Sequence, residues 1–208
     1  MPTPELANQS NKWVNAMSQF TLITGGARCG KSRFAELLAA HTKRPVIYIA
    51  TAQIWDEEMA LRVKKHQLQR PATWRLIEEP VNIRDTFIQL KDEDGIILLD
   101  CVTLWLTNLL LADGDLFNND LEPQILDIVK DVAQLAREIK PQVIIVSNEV
   151  GQGIVPEYPL ARAYRDLAGR SNQILASNAD RVYMVVAGIP MEIKHSGEKL
   201  LASLLKED

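Results

Sequence analysis

Short runs of β-branched and aliphatic residues alternate along this chain with longer segments whose apolar positions recur every three to four residues. "FTLITG" (20–25) reads as a buried strand running into glycine. "KSRFAELLAAH" (31–41) follows as a helix with Phe34, Leu37, Leu38 and His41 on one face. "PVIYIAT" (45–51), "TWRLIEEP" (73–80), "GIILLDC" (95–101), "QVIIVSNEVG" (142–151) and "DRVYMVVAG" (180–188) are further strands. Helical periods occupy "DEEMALRVKKHQLQ" (56–69), with Met59, Val63 and His66 in register, then 102–112 and 121–140. Another covers 160–179, with a bend expected at Gly169.

Strands that are apolar throughout need cover on both faces, and their alternation with helices calls for right-handed βαβ crossovers. The pattern predicts one doubly wound α/β domain with a mostly parallel sheet, over 19–190. A polar extension (1–18) is expected before it, and a tail (191–208) after it, in which 194–208 reads as an amphipathic docking helix. No chemistry is expected of His195 in that tail.

The composition is ordinary for a globular protein, with 47% hydrophobic and 24% charged residues. A formal charge of −4 is too mild to mark a nucleic-acid or membrane surface, though a local feature can still bind an anion. The chain shows neither a secretory leader pattern nor a run of about 18 apolar residues. Its two cysteines, Cys29 and Cys101, have no metal-type spacing, which favours a reducing, cytoplasmic setting.

Chemistry enters at Gly25-Gly26-Ala27-Arg28-Cys29-Gly30-Lys31-Ser32, which fits G-x-x-x-x-G-K-[ST] with a predicted strand before it and a helix after. Main-chain N–H groups of such a loop form an anion nest, and the helix N-terminus adds its free donors. Lys31 supplies a point charge to the terminal phosphates, and the Ser32 hydroxyl can ligate Mg2+. Asp100, ending the apolar strand "IILLD", is either a second Mg2+ contact or a cap for the helix that follows. These parts indicate a nucleoside triphosphate with Mg2+ and leave the reaction open.

His66 sits among Lys64, Lys65 and Arg70. A solvated surface histidine is one reading. The other is a nucleophile that its cationic neighbours keep neutral, so that its lone pair can attack phosphorus.

Residues from about Thr21 to Gly188 resemble the bifunctional adenosylcobinamide kinase/adenosylcobinamide-phosphate guanylyltransferase family of cobalamin biosynthesis. The resemblance is carried by "TGGARCGKSRFAE", by D-x-E-M followed by R-x-x-x-H-x-x-x-R-P, by "ILLDCVTLWLTNLL", and by "SNEVGQGIVPEYPLARAYRDLAGRSNQ". It implies a P-loop NTPase-like, three-layer α/β/α fold of RecA-like type. It also implies two transferase activities. The first phosphorylates the hydroxyl on the aminopropanol arm of adenosylcobinamide, with ATP or GTP. The second passes GMP from GTP through a histidine to the new phosphate. By the same resemblance the nucleophile falls on His66. Nucleotide contacts fall on Gly25 through Ser32, on Ala50, Thr51 and Ala52, on Gln67, Leu68, Gln69 and Arg70, and on Glu78 and Asp100. A homotrimer is implied as well. The family usually has serine where this chain has Cys29, a swap that backbone contacts should tolerate.

Alternatives stand beside this reading. One is a descendant with a single activity. Another is a GTP-dependent switch, disfavoured because no Asn-Lys-x-Asp box is present. Asn148 and Glu149 either line the second-substrate pocket or form a solvated turn. Arg162, Arg165 and Arg170 either reach a phosphate or form a solvated face with an Arg162–Asp166 pair. Trp55, Trp74 and Trp105 are expected to pack rather than stack on a ligand. A regulatory disulfide between Cys29 and Cys101 is the least favoured reading of the cysteines.

Overall fold

The computed structural model describes residues 19–53, 57, 61, 71–113 and 120–205. In chain order the elements are β1 (Phe20–Thr24), α1 (Lys31–His41), β2 (Val46–Ala50), β3 (Arg75–Glu78), α2 (Ile83–Gln89), β4 (Ile96–Asp100) and α3 (Val102–Asp113). They continue with α4 (Leu121–Glu138), β5 (Gln142–Val146), α5 (Pro159–Asn178), β6 (Arg181–Val186), β7 (Ile189–Glu192) and α6 (Lys194–Leu204). The helix expected over 56–69 falls almost wholly outside the described residues.

The strands form one seven-stranded sheet in the order β3-β2-β4-β5-β1-β6-β7, parallel except for β7. Alternate strand residues face opposite layers, as the period of two requires. Phe20, Leu22, Ile47, Ile49, Ile97, Leu99, Val143 and Ile145 pack with buried residues of α2, α3, α4 and α5. Ile23, Val46, Tyr48, Ile96, Leu98, Ile144, Val146 and Val185 pack under α1. This is the expected three-layer, mostly parallel α/β architecture. Trp105 is fully buried and donates its indole N–H to Val81 O at 2.9 Å. Its truncation to alanine would cost about 3–5 kcal/mol.

Several expectations change in detail. Ala35 and Ala39 make the buried stripe of α1, while Leu37 is 60% exposed and Phe34 and Leu38 flank the stripe. Small residues let the helix lie close to the sheet, and the apolar pattern alone placed the face too far round. Helix α2 and strand β7 were not expected. The two-residue turn Ala187-Gly188, with φ of 51° and 81°, folds β7 back onto β6. Positive φ at both central positions is what a tight hairpin turn demands. β7 therefore continues the sheet across position 190. Helix α5 runs unbroken through Gly169.

No residue of α6 is buried, and Leu200, Leu201 and Leu204 are exposed. The tail is instead tied down by Lys194, whose ammonium donates to Ala176 O and Ser177 O at 2.8 and 3.0 Å, and to Ala179 O. A cation on the last carbonyls of α5 satisfies groups the helix leaves unpaired.

Candidate active site

Parallel sheets gather their strand carboxyl ends at one edge, and the loops there build the site. The register makes this concrete. Glu78, Ala50, Asp100 and Val146 lie in one row across β3, β2, β4 and β5, and Val146 pairs with Ile23 of β1. The phosphate loop starts two residues beyond Ile23, so Gly25–Ser32, Ala50, Glu78 and Asp100 share one edge.

The loop is a preformed nest. Gly25 has φ of 151°, Arg28 of 57° and Gly30 of 99°. A Cβ on Gly25 would lie 2.5 Å from Val185 O and 2.7 Å from Cys29 Sγ. Only glycine permits this approach to β6. Cys29 N donates to Gly26 O at 3.3 Å, and Lys31 Nζ reaches the same carbonyl at 3.1 Å. Gly30 precedes α1, so Lys31 and Ser32 occupy its first turn, where main-chain donors are free. The hairpin turn backs the loop: Gly188 N donates to Cys29 O at 2.8 Å, and a Cβ on Gly30 would stand 3.2 Å from Gly188 Cα. This support is not marked in the sequence, because Ala-Gly is not one of the dipeptides that signal a two-residue hairpin.

Asp100 accepts from Tyr48 OH at 3.0 Å through Oδ2. Thr51 is wholly buried and locks the ends of β2 and β4 together. Its hydroxyl donates to Cys101 O at 2.8 Å and accepts from Cys101 N at 2.9 Å. Asn108 Nδ2 then donates to Thr51 O at 2.8 Å and Pro80 O at 2.9 Å. The Thr51 side chain is thus committed within the protein. Ala50 and Ala52 are half-buried, and Glu78 is exposed at the end of β3.

Cys29 and Cys101 are both free thiols. The Cys101 thiol is pushed up, first by burial and then by the neighbouring Asp100 carboxylate. Lys31 opposes this by its charge, so the loop lysine is felt at the end of β4. Thr103 Oγ1 lies 3.2 Å from the sulfur. Tyr164, which donates to Thr103 O at 2.8 Å, is likewise pushed up, mainly by burial.

Glu149 lies just past β5, beside the loop. Its N–H donates to Gly25 O at 3.0 Å, and its Oε1 accepts from Thr24 Oγ1 at 2.6 Å and Asn172 Nδ2 at 3.0 Å. It is not a solvated turn residue. The arginines of α5 are engaged differently from the expected pairing. Arg162 donates to Pro156 O and Glu157 O, while Asp166 pairs with Arg165 and Arg170 pairs with Glu122. Arg162 stands in the first turn of α5, where the preceding loop is nearer than the next turn. Trp105 and Trp74 pack against the two cores as expected. His66, Gln67, Leu68, Gln69, Arg70 and Trp55 lie outside the described residues.

Ser32 and Asp100 have the chemistry of Mg2+ contacts. Both offer hard oxygen donors, and no described residue engages Asp100 Oδ1. Mg2+ takes few protein ligands and completes its shell with water and phosphate oxygens, so two contacts suffice. Among the described residues, no group of three or more His, Cys, Asp or Glu forms an all-protein cage. The residues fit a nucleotide-borne metal.

A family model described as "Cobinamide kinase / cobinamide phosphate guanyltransferase" matches residues 21–193. The chain is 46% identical over 180 residues to the bifunctional adenosylcobalamin biosynthesis protein CobP of Pseudomonas aeruginosa, covering 86% of this chain and 98% of that one. It is 46% identical over 183 residues to the bifunctional protein CobU of Salmonella typhimurium, covering 83% and 98%. CobU of Escherichia coli is 42% identical over 179 residues, with the same coverage. Among solved structures, the RadB recombinase aligns at 14% identity with a TM-score of 0.45, over 81% of this chain and 74% of that one.

Proposed function

Because the chain belongs to the cobinamide kinase/cobinamide phosphate guanyltransferase family, we propose that it carries out two consecutive transfers in cobalamin biosynthesis. The first places the γ-phosphoryl group of ATP or GTP on the hydroxyl of adenosylcobinamide. The second transfers GMP from GTP to the resulting phosphate, giving adenosylcobinamide-GDP. The observation that carries this reading is the Gly25–Ser32 nest opening at the same sheet edge as Asp100, in a chain with that family match.

In phosphoryl transfer the protein mainly positions groups and stabilises charge. The nest N–H groups and Lys31 hold the phosphate chain. Ser32 and Asp100 would hold Mg2+, which neutralises charge on the phosphate oxygens. Gly25, Gly26, Ala27, Arg28, Cys29 and Gly30 contribute chiefly main chain. Ala50, Ala52 and Glu78 flank the nucleotide, with Thr51 bracing the strand ends.

For guanylyl transfer, His66 is the nucleophile. Its ring nitrogen attacks the α-phosphorus, the bond to the β-phosphate oxygen breaks, and pyrophosphate leaves. An oxygen of the cobinamide phosphate then attacks the same phosphorus, and the P–N bond breaks to regenerate His66. Gln67, Leu68, Gln69 and Arg70 contact the nucleotide beside it. The family resemblance further supports a homotrimer in the cytoplasm. No helix among the described residues is long and apolar enough to cross a membrane.

The test is product analysis. Purified protein incubated with adenosylcobinamide, ATP, GTP and Mg2+ should yield adenosylcobinamide phosphate and then adenosylcobinamide-GDP by mass spectrometry. Recovery of neither product would overturn the reading.

A further inference from the structure

The two transfers differ in their need for a base. An alcohol must lose a proton when it attacks the γ-phosphorus. A phosphomonoester, with a second pKa of about 6, already presents an anionic oxygen near neutral pH. One carboxylate at the site edge has no place in the mechanism above. Glu149 stands between β1, which carries the loop, and β4, which carries Asp100. Its N–H is bonded to Gly25 O, so it moves with the first residue of the phosphate nest.

Its side chain is aimed rather than free. Oε1 accepts from the hydroxyl of Thr24 and the amide of Asn172. The amide is itself oriented: Asn172 Oδ1 accepts from Ser147 Oγ at 2.5 Å, and Nδ2 also donates to Asn148 O at 3.1 Å. Thr24, Ser147 and Asn172 are buried, so the support is rigid. Both donors to Oε1 are neutral, and Glu149 forms no ion pair with a described cation. Oε2 takes no donor from the described residues. The arrangement fixes one oxygen and leaves the other to a ligand.

We propose that Glu149 is the proton acceptor of the kinase step, with Thr24 and Asn172 as its positioning residues. The acceptor hydroxyl gives its proton to Glu149 Oε2 as its oxygen bonds the γ-phosphorus. The bond from that phosphorus to the β–γ bridging oxygen breaks, and the nucleoside diphosphate leaves with that electron pair. GMP transfer to a phosphate oxygen involves no such proton and leaves Glu149 idle. The inference rests on the kinase reading given above.

The experiment is a split assay on Glu149→Gln, whose remaining carbonyl can still accept from Thr24 and Asn172. Kinase turnover on adenosylcobinamide should fall at least about a hundredfold, the scale of a general base. GMP transfer from GTP to supplied adenosylcobinamide phosphate should stay within about threefold of wild type. Kinase turnover near wild type, or equal loss in both reactions, would overturn the assignment. Asn172→Ala provides a second arm should Glu149→Gln fold poorly. Kinase kcat should fall about tenfold with the KM for ATP unchanged, less than the loss of a general base because Thr24 remains. Loss through KM, or none at all, would contradict the positioning role. A wild-type protein with no kinase product would sink the kinase reading itself, whereas an active wild type beside an equally active Glu149→Gln would sink only this inference.

Discussion

Gly25→Ala probes the coupling of the phosphate loop to the sheet beneath it. The new methyl would stand 2.5 Å from Val185 O and 2.7 Å from Cys29 Sγ. Carbon–oxygen contacts settle near 3.3 Å or beyond, so roughly 0.8 Å must be found. Val185 cannot easily supply it, because β6 is paired on both sides, to β1 and β7. Overpacking of this kind costs about 1–3 kcal/mol, and the positive φ at position 25 adds about 1–2. The total is roughly 2–5 kcal/mol. If the whole fold bears it, Tm falls about 4–20 °C, at about 2–4 °C per kcal/mol for a chain this size. If the loop springs away instead, GTP binds about 30- to 4,000-fold more weakly. Differential scanning calorimetry and titration calorimetry with GTP measure the two together. Gly26→Ala is the stability control: beyond its chain neighbours, nothing lies within 4 Å of where the new Cβ would stand, and its Tm should stay close to wild type. Gly25→Ala with both Tm and GTP affinity unchanged would refute the reasoning.

Other outcomes follow from the same edge. The Cys101 thiol has a folded-state value raised above its ordinary 9.0, so the unfolded chain sheds that proton first as pH climbs. Its stabilising contribution is complete below the ordinary value and is lost as pH rises toward the raised one. The Tm gap between wild type and Cys101→Ala should therefore narrow as pH climbs through and above the ordinary value of 9.0, and a constant gap would contradict this. Asn108→Ala removes a buried hydrogen bond to Thr51 O and a part-buried one to Pro80 O. It should cost about 1–3 kcal/mol in urea unfolding and weaken nucleotide binding through the Ala50–Ala52 turn. Unchanged stability would show that the tie does not matter.

The central strands β2, β4 and β5 were legible because each is mostly a run of Val, Ile and Leu, a pattern that suits a strand covered on both faces. β7 (Ile189–Glu192) is exposed and carries no such block, and it was missed. Asp100 and the Gly25–Ser32 loop were legible because strand ends meet at one edge in such a sheet. What was hidden depended on contacts between distant segments. The Ala35–Ala39 stripe of α1 is set by how closely a helix lies on the sheet, which apolar spacing does not encode. The Glu149 network joins Thr24, Ser147 and Asn172 from β1, the end of β5 and α5, and nothing local marks these polar residues as partners. Thr51 entered as a nucleotide contact by family resemblance, and nothing in the sequence marks the pair of hydrogen bonds its hydroxyl makes with Cys101. Nothing local singles out Lys194, and only the approach of the α5 carboxyl end gives it a function.

The reading that two transfers share one phosphate nest is tested most directly by the covalent state of His66. The protein should be incubated with GTP and Mg2+ without acceptor, digested under alkaline conditions that preserve phosphoramidates, and mapped by mass spectrometry. The account predicts one GMP on the peptide bearing His66, discharged by adenosylcobinamide phosphate and absent from His66→Ala. GMP on another residue, or product formation by an enzyme that never carries GMP, would contradict it.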